Sequence, residues 1–379
     1  MQRIISHLTW LVPIIAWALI AAINVLWVPV LLVALVLGAC VIAAVHHAEV
    51  IAHRIGEPFG TLTLALAVTF IEVGLIVSLM AGAGEDAATL ARDTVIAAVM
   101  IILNGIVGIC LLIGGLRHHE QSFQQSGVSA ALATLSALTV LSLVLPNFTV
   151  SEPGPVYSSS QLAFVAVTSL LLYGTFVMVQ TVRHREYFLT PGPAPLSVPV
   201  PDTDSAEMSE AEPRPESEPE IEHGHAPTRR QAMISAGLLL LSLGAVVLLA
   251  KDLADPITTF VASIGAPRAT VGVVIAALVL LPESVAAVRA ALANRVQTSL
   301  NLALGSALAT IGLTIPAVAA LSLIVDLPIA LGLSSKGIVL LMLSLLVATL
   351  SLGNGRTTIL QGAVHLVIFG VYLFTTVVP

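Results

Sequence analysis

The chain has 379 residues, 57% of them hydrophobic and only 10% charged, with a mean hydropathy of +1.01; this excludes an ordinary soluble globular protein and describes a polytopic membrane protein. The net charge of −7 implies no nucleic-acid partner, because 10 of the 22 acidic residues lie within Arg183–Arg230 and the rest of the chain is close to balanced.

Apolar runs broken by charge, Pro and Gly predict an all-α fold of about eleven transmembrane helices. In chain order they lie near residues 8–25, 27–46, 57–82, 93–116, 127–147, 160–182, 231–250, 268–292, 296–322, 335–353 and 357–378. Both cysteines, Cys40 and Cys110, sit inside apolar runs, where packing suits them better than redox or metal chemistry. Leu-Gly-Ala-Cys ending at Cys40 faintly resembles a lipoprotein cleavage box, but the apolar region before it is far longer than that of a signal peptide. Residues 183–230 include PGPAPLSVPVPDTDSAEMSEAEPRPESEPEIEHGHAP, rich in Pro and Glu, which cannot bury enough surface to fold alone. This segment reads as a disordered tether; the sharper alternative is a cation-sensing or autoregulatory tail using its carboxylates with His223 and His225.

Basic residues orient the helices. With a cytoplasmic N-terminus, eleven Lys and Arg fall inside and only Arg92, Lys251, Arg268 and Lys336 outside, a positive-inside bias. The 183–230 segment is then cytoplasmic and the C-terminus outside.

The resulting units are an N-terminal transmembrane helix (1–26), a first five-helix repeat (27–182), the acidic linker (183–230) and a second five-helix repeat (231–379). The halves look related: TLALAVTFIEV around Glu72 parallels VIAALVLLPES around Glu283, ILNGIVGICLLIGG parallels ALGSALATIGLTIP, and LLLYGTFVMVQT parallels HLVIFGVYLFTT, with Gly174 opposite Gly370. An odd number of helices per repeat inverts the second against the first, so equivalent residues meet near the midplane. Glu72 and Glu283 should therefore converge.

A charged residue at a helix centre costs roughly 3 kcal/mol or more, so the glutamates need a cavity, a counter-ion or a proton. Desolvation favours the protonated carboxyl and a bound cation the carboxylate; that competition is the physical basis of cation/proton exchange. Thr69 shares the helical face of Glu72. Pro282 breaks the helix just before Glu283 by removing the N–H that would pair with the Leu278 carbonyl. Asn104, Asn301, Ser306 and Thr310 add neutral oxygens, although polar and small residues such as Gly105, Gly108 and Gly305 also serve as interhelical glue. The candidate metal ligands are thus Glu72, Glu283, Thr69, Asn104 and Ser306, a hard-oxygen set suited to Ca²⁺, Na⁺ or K⁺ rather than Zn²⁺ or Cu²⁺. His46, His47, Glu49 and His53 read as a solvated helix end, with a pH-sensing element as the alternative; the spacing is not His-Glu-x-x-His. His365 reads as a packing residue.

The passages AEVIAHRIGEPFGTLTLALAVTFIEV from Ala48, LPESVAAVRAALANRVQTSLNLALGSALATIGLTIPAVA from Leu281 and GRTTILQGAVHLVIFGVYLF near the end resemble the cation/proton exchanger family of the cation/Ca²⁺ exchanger superfamily, especially its bacterial ChaA-type branch. That resemblance covers nearly everything outside the linker. It implies one N-terminal helix plus two inverted five-helix repeats, and a bacterial inner-membrane Ca²⁺, Na⁺ or K⁺/H⁺ antiporter working by alternating access. One departure stands out. Where many such exchangers carry Gly-Asn-Ala-x-Glu, Val68 and Thr69 occupy the Gly-Asn positions of the first repeat, and Val279 and Leu280 those of the second.

The sequence therefore reads as a secondary active transporter and not an enzyme, most simply a Ca²⁺/H⁺ antiporter that also carries Na⁺ or K⁺. The alternatives are Na⁺(K⁺)/H⁺ exchange without Ca²⁺, or a passive cation channel with the same acidic constriction. The expected partners are the lipid bilayer, inorganic cations and protons, with no cofactor; homo-oligomerisation is left open.

Overall fold

The computed structural model describes residues 2–23, 25–26, 28–56, 59–82, 87–189, 227–325 and 329–378. Residues 190–226 of the expected linker lie outside the described residues, as do His223 and His225. The described chain is nearly all helical. The first half holds α1 (Gln2–Ile23), α2 (Val30–Ile55), α3 (Phe59–Gly82) and α4 (Ala87–Met100), which continues through a π turn, Ile101–Ile106, into α5 (Val107–His118). A short strand β1 (Gln121–Ser122) leads to α6 (Gln125–Thr139) and then to α7 (Ser159–Met178). The second half holds α8 (Arg229–Ser263), α9 (Ala269–Val279), α10 (Leu281–Leu292) and α11 (Val296–Ala309), whose π turn Thr310–Thr314 runs into α12 (Ile315–Val325). It closes with α13 (Ser335–Leu352), the strand β2 (Arg356–Thr357) and α14 (Ile359–Val377).

Among the described residues, eight helical spans are long and apolar enough to cross a membrane, and α9 with α10, bent by 57°, make a ninth; Thr9–Ile23 and Leu66–Val77 are shorter apolar helices. Helix ends follow local chemistry. Ser158 and Thr228 form capping boxes with Gln161 and Gln231, fixing where α7 and α8 begin. Gly56 ends α2 at φ 77, a backbone region that only glycine adopts freely. Two helices outrun the expected ends. α8 continues past 250 through Lys251, Asp252, Asp255 and Pro256, and α2 past 46 through its histidines, because charge at a membrane boundary does not by itself stop a helix.

The two halves interlock rather than lie side by side: α2 and α3 pack on α8, α4 on α9, α5 on α14 and α6 on α11. α1 lies over α2 and α8, where Trp17 Nε1 donates to Leu241 O at 3.0 Å. His47 is fully buried in that seam, with Nε2 3.1 Å from Thr9 O and Nδ1 3.4 Å from Ser235 Oγ. The solvated helix end expected there therefore fits Glu49 and His53, which are exposed, but not His47, because α1 and α8 cover it.

Charged residues collect at two opposite ends. One end pairs β1 antiparallel with β2, sets Arg356 Nη1 3.2 Å from Glu120, and ties Gln121 Nε2 to Asn294 Oδ1 at 2.9 Å. At the other, Arg92 pairs with Asp93 at 2.8 Å and donates to Gly332 O at 3.0 Å.

Candidate functional site: an acidic chamber between the halves

α3 is apolar along most of its length, and Glu72, 3% exposed, is its one carboxylate. Glu283 reaches the interior by another route. α9 stops at Val279, Pro282 sits in the first turn of α10 without an N–H to give, and the 57° bend leaves Glu283 in that same first turn. A helix start has uncommitted N–H groups and the positive end of the macrodipole, which favour a carboxylate.

Both glutamates line one cavity of about 190 Å³. Thr69 comes with Glu72 from α3; Asn301 and Ser306 come from α11, Thr310 from the π turn, and Tyr173 with Gln180 from α7 and its extension. Thr314 Oγ1 donates to Glu72 Oε2 at 2.9 Å. By contrast Glu72 Oε1, Glu283 Oε2 and Ser306 Oγ are buried without a protein partner. A buried polar atom left unpaired costs about 1–3 kcal/mol, and the cavity is several times the roughly 30 Å³ share of one water. Three such oxygens around one chamber describe a place for a cation, a proton or water. The donors are carboxylate, hydroxyl and amide oxygens, the chemistry of hard cations.

Of the five ligands expected from sequence, Glu72, Glu283, Thr69 and Ser306 meet at this chamber. Asn104 does not line it. Fully buried on the π turn Ile101–Ile106, Asn104 donates from Nδ2 to Ser344 Oγ at 2.8 Å, and its Oδ1 lies 3.2 Å from His365 Nδ1, joining that turn to α13 and α14. Asn301 lines the chamber, but its Oδ1 already accepts from Gln297 Nε2 at 2.8 Å and its Nδ2 donates to Phe188 O at 2.6 Å. Glu49 interacts electrostatically with His46 and His53, so these three share a face of α2. Thr314 and Tyr173 were not singled out in the sequence. The signal for Thr314 was its spacing of four from Thr310, which keeps two hydroxyls on one helix face.

The fold and the chamber define a multi-pass helical membrane protein with an acidic, oxygen-lined cavity formed by both halves of the chain. It belongs to the sodium/calcium exchanger protein family, whose model matches residues 25–182 and 234–378. The y4hA protein of Sinorhizobium fredii is 47% identical over 343 residues, 90% of this chain and 87% of that protein. The sodium-potassium/proton antiporter ChaA of Escherichia coli is 34% identical over 333 residues, 88% and 84% of the two chains. Among solved structures, native YfkE superposes with a TM-score of 0.70 at 15% identity, covering 98% of this chain and 100% of that one. Family membership makes this chain a membrane transporter of the cation-exchanging kind.

Proposed function

We propose that the protein is a secondary active cation/proton antiporter in a bacterial inner membrane, in which Glu72 and Glu283 bind either the exchanged cation or protons, with Thr69 and Ser306 as neutral ligands. One observation carries the reading: an acid from each half of the chain, each with an unpartnered oxygen, lines a single cavity. Two carboxylates on one cavity repel each other unless a proton or a cation intervenes, so loading one displaces the other.

The repeat architecture belongs to the same reading. In this reading the eight long spans, the bent α9–α10 pair and the two shorter apolar helices count as eleven crossings, one N-terminal and five in each half. A reciprocal contact supports the inversion. Gly105 in the π turn Ile101–Ile106 faces Phe369 of α14, while Gly312 in the π turn Thr310–Thr314 faces Tyr173 of α7; each aromatic immediately precedes a glycine, Gly370 or Gly174. The chamber extends from Glu72 to Gln180, beside Arg183 and Arg185, and we assign that side to the cytoplasm, with the N-terminus and linker, from the basic residues gathered there.

Na⁺ and K⁺ rank ahead of Ca²⁺. The curated relative ChaA is named for sodium, potassium and protons, and Val68 and Val279 with Thr69 and Leu280 supply none of the amide oxygens that a six- to eight-coordinate Ca²⁺ site would use. The test is proton movement in proteoliposomes of purified protein under an imposed pH gradient, challenged separately with Na⁺, K⁺ and Ca²⁺. Antiport predicts proton efflux triggered by at least one cation. Cation flux without proton counterflow would make the protein a channel, and silence towards all three ions would remove the assignment.

A further inference from the structure

Glu72 offers its two oxygens unequally. Oε2 accepts the Thr314 hydroxyl at 2.9 Å, while Oε1 has no partner. Thr314 is fully buried at the last position of the π turn Thr310–Thr314 and is not part of the chamber wall, whereas Thr310, at the first position, is. The π turn thus sets Thr310 on the chamber wall and Thr314 outside it, with both threonines in reach of the Glu72 carboxyl. Single π turns of this kind cluster at functional sites because they re-aim side chains.

A hydrogen bond to a carboxylate is about twice as strong as a neutral one, so Thr314 fixes the orientation of the Glu72 carboxyl. We propose that Thr314 is a specificity-determining positioning residue: by holding Oε2 it fixes the rotation of the Glu72 carboxyl and presents Oε1 to the chamber, which biases the site toward a monovalent cation over Ca²⁺. Ca²⁺ takes six to eight oxygens and commonly engages a carboxylate with both. Asn301 Oδ1 already accepts from Gln297, which leaves the hydroxyls of Thr69, Ser306 and Thr310 and the Gln180 amide as the neutral oxygens beside the two carboxyls. Bidentate engagement by Ca²⁺ would have to turn the carboxyl and strain the Thr314 bond, whereas Na⁺ or K⁺, needing fewer and less charged ligands, would not. The inference rests on the antiporter reading.

The test compares KM for Na⁺, K⁺ and Ca²⁺ in proteoliposomes of wild type, Thr314→Val, which keeps the branched shape without the hydroxyl, and Thr314→Ser, which keeps the hydroxyl. Thr314→Val is expected to lower the Ca²⁺/Na⁺ KM ratio by about tenfold, equivalent to about 1.4 kcal/mol and so to the low end of what a bond to a charged group contributes, with Thr314→Ser staying at the wild-type ratio. Thr314→Ala replaces the Val variant if that one does not purify folded. An unchanged ratio in the hydroxyl-less variant, or an equal shift in Thr314→Ser, overturns the proposal. Glu72→Gln in the same vesicles separates the two readings. If it exchanges at the wild-type rate the antiporter site itself falls; if it is silent and the Thr314 ratio is still unmoved, only the role of Thr314 falls.

Discussion

Replacing Gly312 by alanine sets a methyl group against the backbone-proximal part of Tyr173. The added Cβ would stand 2.6 Å from Tyr173 Cβ, 2.7 Å from Cγ and 2.9 Å from Cδ2, whereas carbon atoms pack at about 3.5–4.0 Å. Tyr173 would have to retreat by about 1 Å, and because the nearest atom is its Cβ, rotating the ring brings no relief; α7 itself must move. Overpacking of this kind costs about 1–3 kcal/mol. The strain would fall on the chamber, since Tyr173 forms part of its wall and Gly312 lies between Thr310 and Thr314. Gly312→Ala should therefore unfold at a lower temperature in detergent and show a raised cation KM in vesicles. Gly174→Ala is the control. It adds the same methyl to the residue next to Tyr173, where nothing lies within 4 Å, and alanine favours a helix over glycine by about 1 kcal/mol, so that variant should melt no earlier than wild type. A Gly312→Ala protein with wild-type melting and wild-type KM would refute the packing argument.

Two further outcomes follow from the placement of other residues. Asn104→Ala strips His365 Nδ1 and Ser344 of their shared partner and should lower thermal stability by about 1–3 kcal/mol while the cation KM stays near wild type; a large rise in KM would return Asn104 to the ligand set. Exchanging residues 190–226 for a Gly/Ser segment of equal length should leave transport rates and their Ca²⁺ dependence intact if the acidic stretch is only a tether, and a changed response to Ca²⁺ on the side of the membrane that carries the segment would make it regulatory.

Much of this architecture is written in one-dimensional signals. Apolar runs longer than a bilayer needs, broken at Pro29, Gly56 and Gly265, mark the helices because backbone polarity must be satisfied internally in lipid. The glutamates stand out because an unpaired acid in such a run demands a reason, and Pro282 announces the break that delivers Glu283 to the chamber. Side-chain partners were less legible. Asn104 and Ser306 look alike in sequence, each beside a glycine, Gly105 or Gly305, yet Ser306 lines the chamber and Asn104 bonds α13 and α14. The helical phase across each π turn decides between such fates, and a π turn is a one-residue adjustment that no local pattern announces. His47 was misread for a related reason: its cover comes from α1 and α8, far away in sequence.

The most direct measurement is cation-triggered proton movement in proteoliposomes of wild type, Glu72→Gln and Glu283→Gln, each checked for a monodisperse, folded preparation. Glutamine keeps the size and polarity of the side chain but neither takes up a proton nor carries charge. Loss of exchange in both folded variants, with wild type active in the same preparation, is the predicted result; full exchange by either one would show that its carboxylate is not part of the shared cation and proton site.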